Sequence, residues 1–255
     1  VSRRCLWIYV VLGYLFLYLP IAVLVVFSFN ASRFNVNWEG FTLAWYAKLL
    51  TNANILAAAK NSLIIATVTT VLSTILGTGL ALGMHRNSSV LGRLTELFVY
   101  VPVIVPETVM GISLLAFFVL TNIELGVTSV IISHVAFCAP FVALIVQARL
   151  EGFDDSLVEA ALDLGATEWQ ALFRVTLPIA APGIVAGALL AFTMSLDDFI
   201  VTFFTAGPGS TTLPLYIFSM VKFGVSPEIN ALCTVLLVVS ATAIVAYDKL
   251  VRIRD

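Results

Sequence analysis

Six long apolar runs divide this chain, near residues 6–29, 61–84, 97–120, 126–149, 180–203 and 229–251. Each holds about 20 residues or more, enough for a helix to cross roughly 30 Å of hydrocarbon. Only 11% of the 255 residues are charged, against about 25% in a soluble domain. The charges gather between the runs, and mean hydropathy is +1.05. Strands of about ten residues with alternating polarity are missing, which argues against a membrane barrel. The expectation is an all-α membrane protein with six transmembrane helices and a single membrane domain over residues 1–255.

Arg3 and Arg4 precede the first run, as in a signal peptide. The run exceeds an h-region of about 7–15 residues, and Ser28-Phe29-Asn30 offers no small-x-small cleavage site. It reads as a retained helix. Because the chain opens at Val1, a few native residues are expected to precede it.

Lys and Arg set the orientation. With the N-terminus inside, the cytoplasmic set is Arg3, Arg4, Arg86, Arg93, Arg149, Arg174, Lys249, Arg252 and Arg254; the outer set is Arg33, Lys48, Lys60 and Lys222. Nine against four places both termini in the cytoplasm. The net charge of −2 comes with no basic patch, so nucleic acid is not an expected partner. Cys5, Cys138 and Cys233 lie far apart, without metal or redox spacing, and read as small apolar fillers. His134, beside Ser133 in the fourth run, is expected to make an interhelical hydrogen bond.

Trp38, Trp45 and Tyr46 mark the outer segment from Asn30 to Lys60 as an interface anchor. Gly79-x-x-x-Gly83 and Gly183-x-x-x-Gly187 carry the spacing that lets helices approach closely. Pro102 and Pro106 disfavour a straight third helix. Gly207-Pro208-Gly209-Ser210 predicts a turn, followed by a short helix over 213–222.

The segment around 150–178 falls on the cytoplasmic side. Ser156-x-x-Glu159 has the pattern of a capping box, Gly165 suits a left-handed helix end, and Thr167-x-x-Gln170 repeats the box. Pro178 marks the return to the membrane. Two short helices with a sharp bend are expected, showing Leu157, Ala160, Ala161, Leu164, Trp169, Leu172 and Phe173. Such a hairpin either floats on lipid or docks on a partner. The acidic residues Glu151, Asp154, Asp155, Glu159, Asp163 and Glu168 favour the partner.

Glu159-Ala160-Ala161-Leu162-Asp163-Leu164-Gly165, followed by Phe173, Leu177 and Pro178, resembles the EAA loop of binding-protein-dependent ABC importer permeases. That resemblance implies the type I permease fold of such importers. It also implies an ATPase-coupling role for Glu159, Ala160, Ala161, Gly165, Glu168 and Phe173. Further stretches are similar to the spermidine/putrescine permeases, most of all to their second permease subunit: Tyr18-Leu19-Pro20, Phe27 to Ser32, Trp38 to Phe41, Ser195 to Asp198 and Val225 to Ala231. The implied partners are a related permease in a heterodimer, two ABC ATPase subunits carrying ATP and Mg, and a periplasmic polyamine-binding protein, in the bilayer of a bacterial inner membrane.

Away from the cytoplasmic ends, three carboxylates lie in the apolar runs: Glu107, Asp197 and Asp198. An unpaired one costs about 2.5–3.5 kcal/mol at the bilayer centre. A salt bridge to a neighbour is one reading; a path for a cation is the other. At about 1.5 Å per residue, Asp197 lies roughly 25 Å beyond Ala180, in the outer third of its helix, and Glu107 near the middle of its own. Neighbours on a helix diverge by about 100°, so one aspartate of the pair is expected to face the path. Trp45 and Tyr100 offer cation–π faces, with lipid anchoring as the alternative. The polyamine-permease pattern adds Ser195 to the path, and Phe218 and Lys222 stand as an outer gate.

The leading expectation is therefore a non-catalytic membrane subunit of an ATP-driven polyamine importer working by alternating access. The chain contains no G-x-x-x-x-G-K-[ST] phosphate loop, no credible nucleophile–base pair and no cofactor site. A permease for thiamine or ferric iron, and a proton-coupled secondary transporter, remain open alternatives.

Overall fold

The computed structural model describes residues 3–32, 37–86, 90–222, 224 and 226–252. Val1, Arg33, Val225 and Arg254, used above, lie outside the described residues. Twelve α-helices are present among the described residues: α1 (Arg3–Phe27), α2 (Ala44–Thr51), α3 (Ala53–Arg86), α4 (Val90–Ile104), α5 (Glu107–Leu120), α6 (Val127–Leu150), α7 (Ser156–Asp163), α8 (Glu168–Ala171), α9 (Leu177–Asp197), α10 (Ile200–Thr205), α11 (Leu213–Lys222) and α12 (Pro227–Arg252). A π-helical turn, Leu172–Thr176, joins α8 to α9. The chain divides into two compact units, Val1–Leu56 with Tyr216–Asp255, and Ala57–Leu215.

In the first unit, α1 exposes every residue from Leu6 to Pro20, as a lipid-facing helix requires. The loop after it is organised by buried Asn30. Its amide donates to the Asn37 carbonyl (2.7 Å), its side-chain oxygen accepts from Ser32 and Glu39 N–H, and its backbone carbonyl accepts from Trp45 Nε1 (2.8 Å). A bridge pairs Asn30 with Phe41, so 27–32 and 38–41 form one structure. Lys48 Nζ lies 2.5 Å from Glu228 Oε2, and Asn52 donates to Glu228 Oε1 at 3.0 Å, which ties α2 to the start of α12.

In the second unit, α6 packs along α9. Phe137, Cys138, Val142, Val146 and Leu150 meet Ala180 and Ala191 in one core. The helices approach through glycine: a Cβ added at Gly183 would lie 2.7 Å from Arg149 Cβ, and one at Gly187 3.0 Å from Val142 Cγ1. On α3 the close approach is at Gly77, where an added Cβ would lie 2.7 Å from Val142 Cβ. Gly79 and Gly83, expected to make such a contact, have open space around them. The spacing marks both pairs alike, and only the facing helix decides which is used.

Among the described residues, four helices are long and apolar enough to cross a membrane: Leu6–Phe27, Ala53–His85, Val127–Leu150 and Glu168–Asp197. The third predicted helix, 97–120, is instead two pieces, Leu94–Ile104 and Glu107–Leu120, bent by 109° and counting as a fifth span if taken together. Pro106, extended at φ −57° and ψ 134°, has no N–H to continue α4. The predicted 180–203 helix also breaks, after Asp197. At the other end it runs on from α8 and the π-helical turn instead of restarting at Pro178. There the Leu177 N–H reaches the Leu172 carbonyl, a wider turn that accommodates the proline ring, which a regular α-turn would drive against the carbonyl four residues back. The second helix starts at Ala53, so Lys60 sits within it; at about 1.5 Å per residue the 34-residue helix outruns a 30 Å core.

Gly187→Leu is expected to destabilise the α6–α9 contact by about 1–3 kcal/mol. Gly79→Leu should leave the thermal unfolding of the detergent-purified chain unchanged.

Candidate functional site

Both helix breaks carry the acids that the sequence singled out. At the first, Glu107 is the opening residue of α5 and is exposed. Four amide N–H groups at a helix start lack intrahelical partners, and the dipole there favours a carboxylate. Tyr100, on α4 before the break, is half-exposed.

At the second break, Asp197 ends α9 with its side chain outward, and Asp198 turns extended at φ −62° and ψ 128°. The Asp198 carboxylate points inward. Oδ1 accepts from Val201 N–H at 3.3 Å; Oδ2 accepts from Thr202 N–H at 2.8 Å and from Thr202 Oγ1 at 2.7 Å. His134 Nε2, from α6, lies 3.2 Å from the same Oδ2 and 3.0 Å from Thr202 Oγ1. The other ring nitrogen, Nδ1, is 2.7 Å from Ser195 Oγ. His134 is fully buried and Ser195 is 4% exposed.

So the interhelical bond expected of His134 is present, and it is part of a larger cluster. The sequence offers no credible nucleophile–base pair, yet the fold brings Ser195, His134 and Asp198 into hydrogen-bonding contact. The cluster is nevertheless a lock. The carboxylate takes four donors, one on Oδ1 and three on Oδ2, and Ser195 Oγ is enclosed. Asp198 and Ser195, expected on a path, have side chains turned into the protein, whereas Asp197 and Glu107 have theirs outside.

The half-helices that follow the breaks pack on each other. A Cβ at Gly111 on α5 would lie 2.7 Å from the Phe204 ring of α10, so glycine is what allows this contact. Ser129 Oγ of α6 donates to the Thr205 carbonyl at 2.8 Å, closing the end of α10.

Trp45, Phe218 and Lys222 belong to the first unit. The Trp45 indole is anchored on Asn30, and Lys48 Nζ lies 5.7 Å from its ring centre. Phe218 is half-exposed on α11, and Lys222 ends that helix, exposed.

The 150–178 loop folds largely as expected. Gly165 has φ +88°, and the Gly165 and Ala166 amides reach the Leu162 and Ala161 carbonyls, a glycine-terminated helix end. The Thr167–Gln170 box forms, with bonds of 3.3 and 2.9 Å. The Ser156–Glu159 box does not. Ser156 lies inside α7, and Asp154 Oδ1 accepts the Ser156 N–H at 3.0 Å instead. Its hydrogen bonds to Ser156 hold the Asp154 carboxyl below the usual carboxylate range. Glu159, Ala160, Gly165 and Glu168 are exposed and Ala161 is half-buried; Leu157, Leu164, Trp169 and Phe173 are exposed as well, with the last two rings stacked at 6.2 Å. His85 Nε2 lies 3.3 Å from Asp155 Oδ1, holding the loop to the end of α3.

Residues 73–254 match the family model described as binding-protein-dependent transport system inner membrane component. The chain is 45% identical over 239 residues to the spermidine/putrescine transport system permease protein PotC of Escherichia coli (strain K12), covering 94% of this chain and 90% of that one. It is 40% identical over 243 residues to the putrescine transport system permease protein PotI of the same strain, covering 92% and 86%. A solved bacterial ABC transporter involved in the import of the acidic polysaccharide alginate contains a chain that superposes with TM-score 0.75 at 18% identity, covering 96% of this chain and 92% of that one. For a chain of the MetNI methionine ABC transporter, inward facing, the TM-score is 0.66 at 20% identity, covering 83% and 98%. These two likenesses establish a shared fold.

Because Asp198 satisfies buried donors, Asp198→Ala is expected to cost at least about 1–3 kcal/mol. Asp197→Asn, at an exposed site, should stay within about 0.5 kcal/mol of the parent. Thermal unfolding of the purified protein in detergent measures both.

Proposed function

The chain belongs to the family of binding-protein-dependent transport system inner membrane components, and on that premise we propose that it is a permease subunit of an ATP-driven polyamine importer. The observation that carries the substrate class is the 45% identity to a spermidine/putrescine permease over 94% of the chain. Exposed carboxylates at two helix breaks support it, because a flexible chain of ammonium groups needs acidic stations to cross hydrocarbon.

In this reading residues 1–255 form one permease domain with six spans, the bent α4–α5 pair and α12 completing the set. Both termini lie in the cytoplasm of a bacterial cell. A related permease, two ABC ATPase subunits and a periplasmic polyamine-binding protein complete the assembly. ATP and Mg reside on the ATPases, and this chain has no catalytic role. The exposed apolar residues of α7, α8 and the π turn form the ATPase-docking surface. The unbroken helix from Glu168 to Asp197 carries their motion to the outer break.

Glu107 and Asp197 act as brief contacts along the path, since tight binding would slow release. Tyr100 and Trp45 add aromatic faces, and Phe218 and Lys222 close the outer mouth. Ser195 and Asp198 serve uptake through the break that they fix.

Proteoliposomes holding the assembled complex, with ATP inside and loaded binding protein outside, should accumulate labelled putrescine or spermidine. A coupled complex that consumes ATP but moves neither compound sinks the substrate assignment, and thiamine and ferric iron would be tried next. Gly165→Pro, which forbids φ +88°, is expected to abolish the stimulation of ATP hydrolysis by loaded binding protein; normal stimulation would remove the coupling role of this turn.

A further inference from the structure

Ser195-Leu196-Asp197-Asp198-Phe199-Ile200 contains no Pro or Gly, yet α9 ends there. The local sequence does not force the break, so its cause lies elsewhere. Asp198, one residue before the N-cap position Phe199, accepts the Val201 and Thr202 amides and so satisfies the open start of α10 in the manner of a capping side chain. A cap of this kind competes with simple continuation of the helix, in which the carboxylate would lose these bonds. What favours the break is His134, far away in sequence on α6. One imidazole holds Ser195, on the last turn of α9, and Asp198 with Thr202, at the start of α10. Asp197 lies between the two pinned points. At about 100° per residue it sits roughly 200° around α9 from Ser195, so fixing Ser195 inward turns Asp197 outward, where its side chain is exposed.

We propose that His134 is a positioning residue for transport: by pinning both sides of the α9–α10 break it sets the direction of the Asp197 carboxylate. The proposal rests on the reading that Asp197 meets a cationic substrate. The ring needs one acceptor and one donor. With hydrogen on Nε2 it donates to Asp198, while Nδ1 accepts the Ser195 hydroxyl. A glutamine carries the same pair of functions on its amide, and leucine carries neither.

Two readouts on the assembled complex test this. In the first, Asp197→Cys is placed in a chain whose native cysteines are alanine, and its reaction with a charged thiol reagent is timed. His134→Leu is expected to slow labelling about tenfold, while His134→Gln keeps it within about threefold of the His134 parent. Ser195→Ala, which frees one side of the break only, should slow labelling by a smaller factor, and it stands in should His134→Leu not assemble. Unchanged labelling in His134→Leu, or in Ser195→Ala where it stands in, overturns the proposal.

The second readout is the apparent KM for putrescine uptake. His134→Leu should raise it about tenfold, and Asp197→Asn added to that variant should raise it little further, because coupled sites are not additive. Effects that multiply independently overturn the proposal. Labelling does not depend on the transported compound. A complex that fails to take up polyamines but shows the labelling pattern therefore rejects the substrate and retains the positioning role.

Discussion

Inside hydrocarbon no water is available for a stray amide or carbonyl, so each interruption of a helix has to be satisfied by the protein itself. The structure interrupts two of its helices and meets the requirement in different ways. At Pro106 the missing N–H removes one donor, and the Pro106 carbonyl accepts the Val109 and Met110 amides that open the next half-helix. At Asp198 no proline intervenes, and a carboxylate, two hydroxyls and one imidazole from a third helix do the work. The first break is written in backbone chemistry and the second in tertiary contact.

That difference explains what could be read from the sequence. The apolar runs gave the helices, because length and hydropathy are local properties. Gly165 and the Thr167–Gln170 box gave the loop, because a left-handed residue and a reciprocal cap are local too. Pro102 and Pro106 announced trouble in the third helix, although not a bend of 109°. The Asp198 break was invisible: its cause is His134, 64 positions earlier in the chain (198 − 134), and only folding brings them together. A signal did exist. A histidine in the middle of an apolar run, and an aspartate followed four residues on by a threonine, are both unusual for lipid-exposed helix. Joining them required a partner assignment that spacing does not contain. The same limit explains the glycine pairs, where equal spacing gave a tight contact at Gly183 and Gly187 and open space at Gly79 and Gly83.

The 150–178 loop shows the opposite economy. It leaves Leu157, Leu164, Trp169 and Phe173 exposed, a surface that contributes nothing to folding of this chain in water. Its backbone is nonetheless firmly set, by the Gly165 turn, by the second capping box and by the link from His85 to Asp155. A rigid backbone that presents loose apolar side chains suits docking, since the ordering cost of the segment is met before the partner arrives. The π turn at Leu172–Thr176 then joins this surface to α9 without a flexible joint.

Placing the carboxylates at helix ends has one more consequence. A carboxylate in mid-helix swings with its own rotamers alone, and moving its backbone requires the whole span to shift. At a break the backbone direction is set by a few bonds. The clasp of His134, Ser195, Asp198 and Thr202 is small and buried. The α10 half-helix that it holds packs through Phe204 on Gly111 of α5, one turn from Glu107. Opening the clasp would free α10 to move against α5, and the exposed acids at the two breaks would change their setting together. Alternating access by rigid pieces requires elements of this kind, with two arrangements and little between them. In the proposed reading Asp197 and Glu107 supply the charge, and His134 and Gly111 supply the geometry that lets the charge move as a unit.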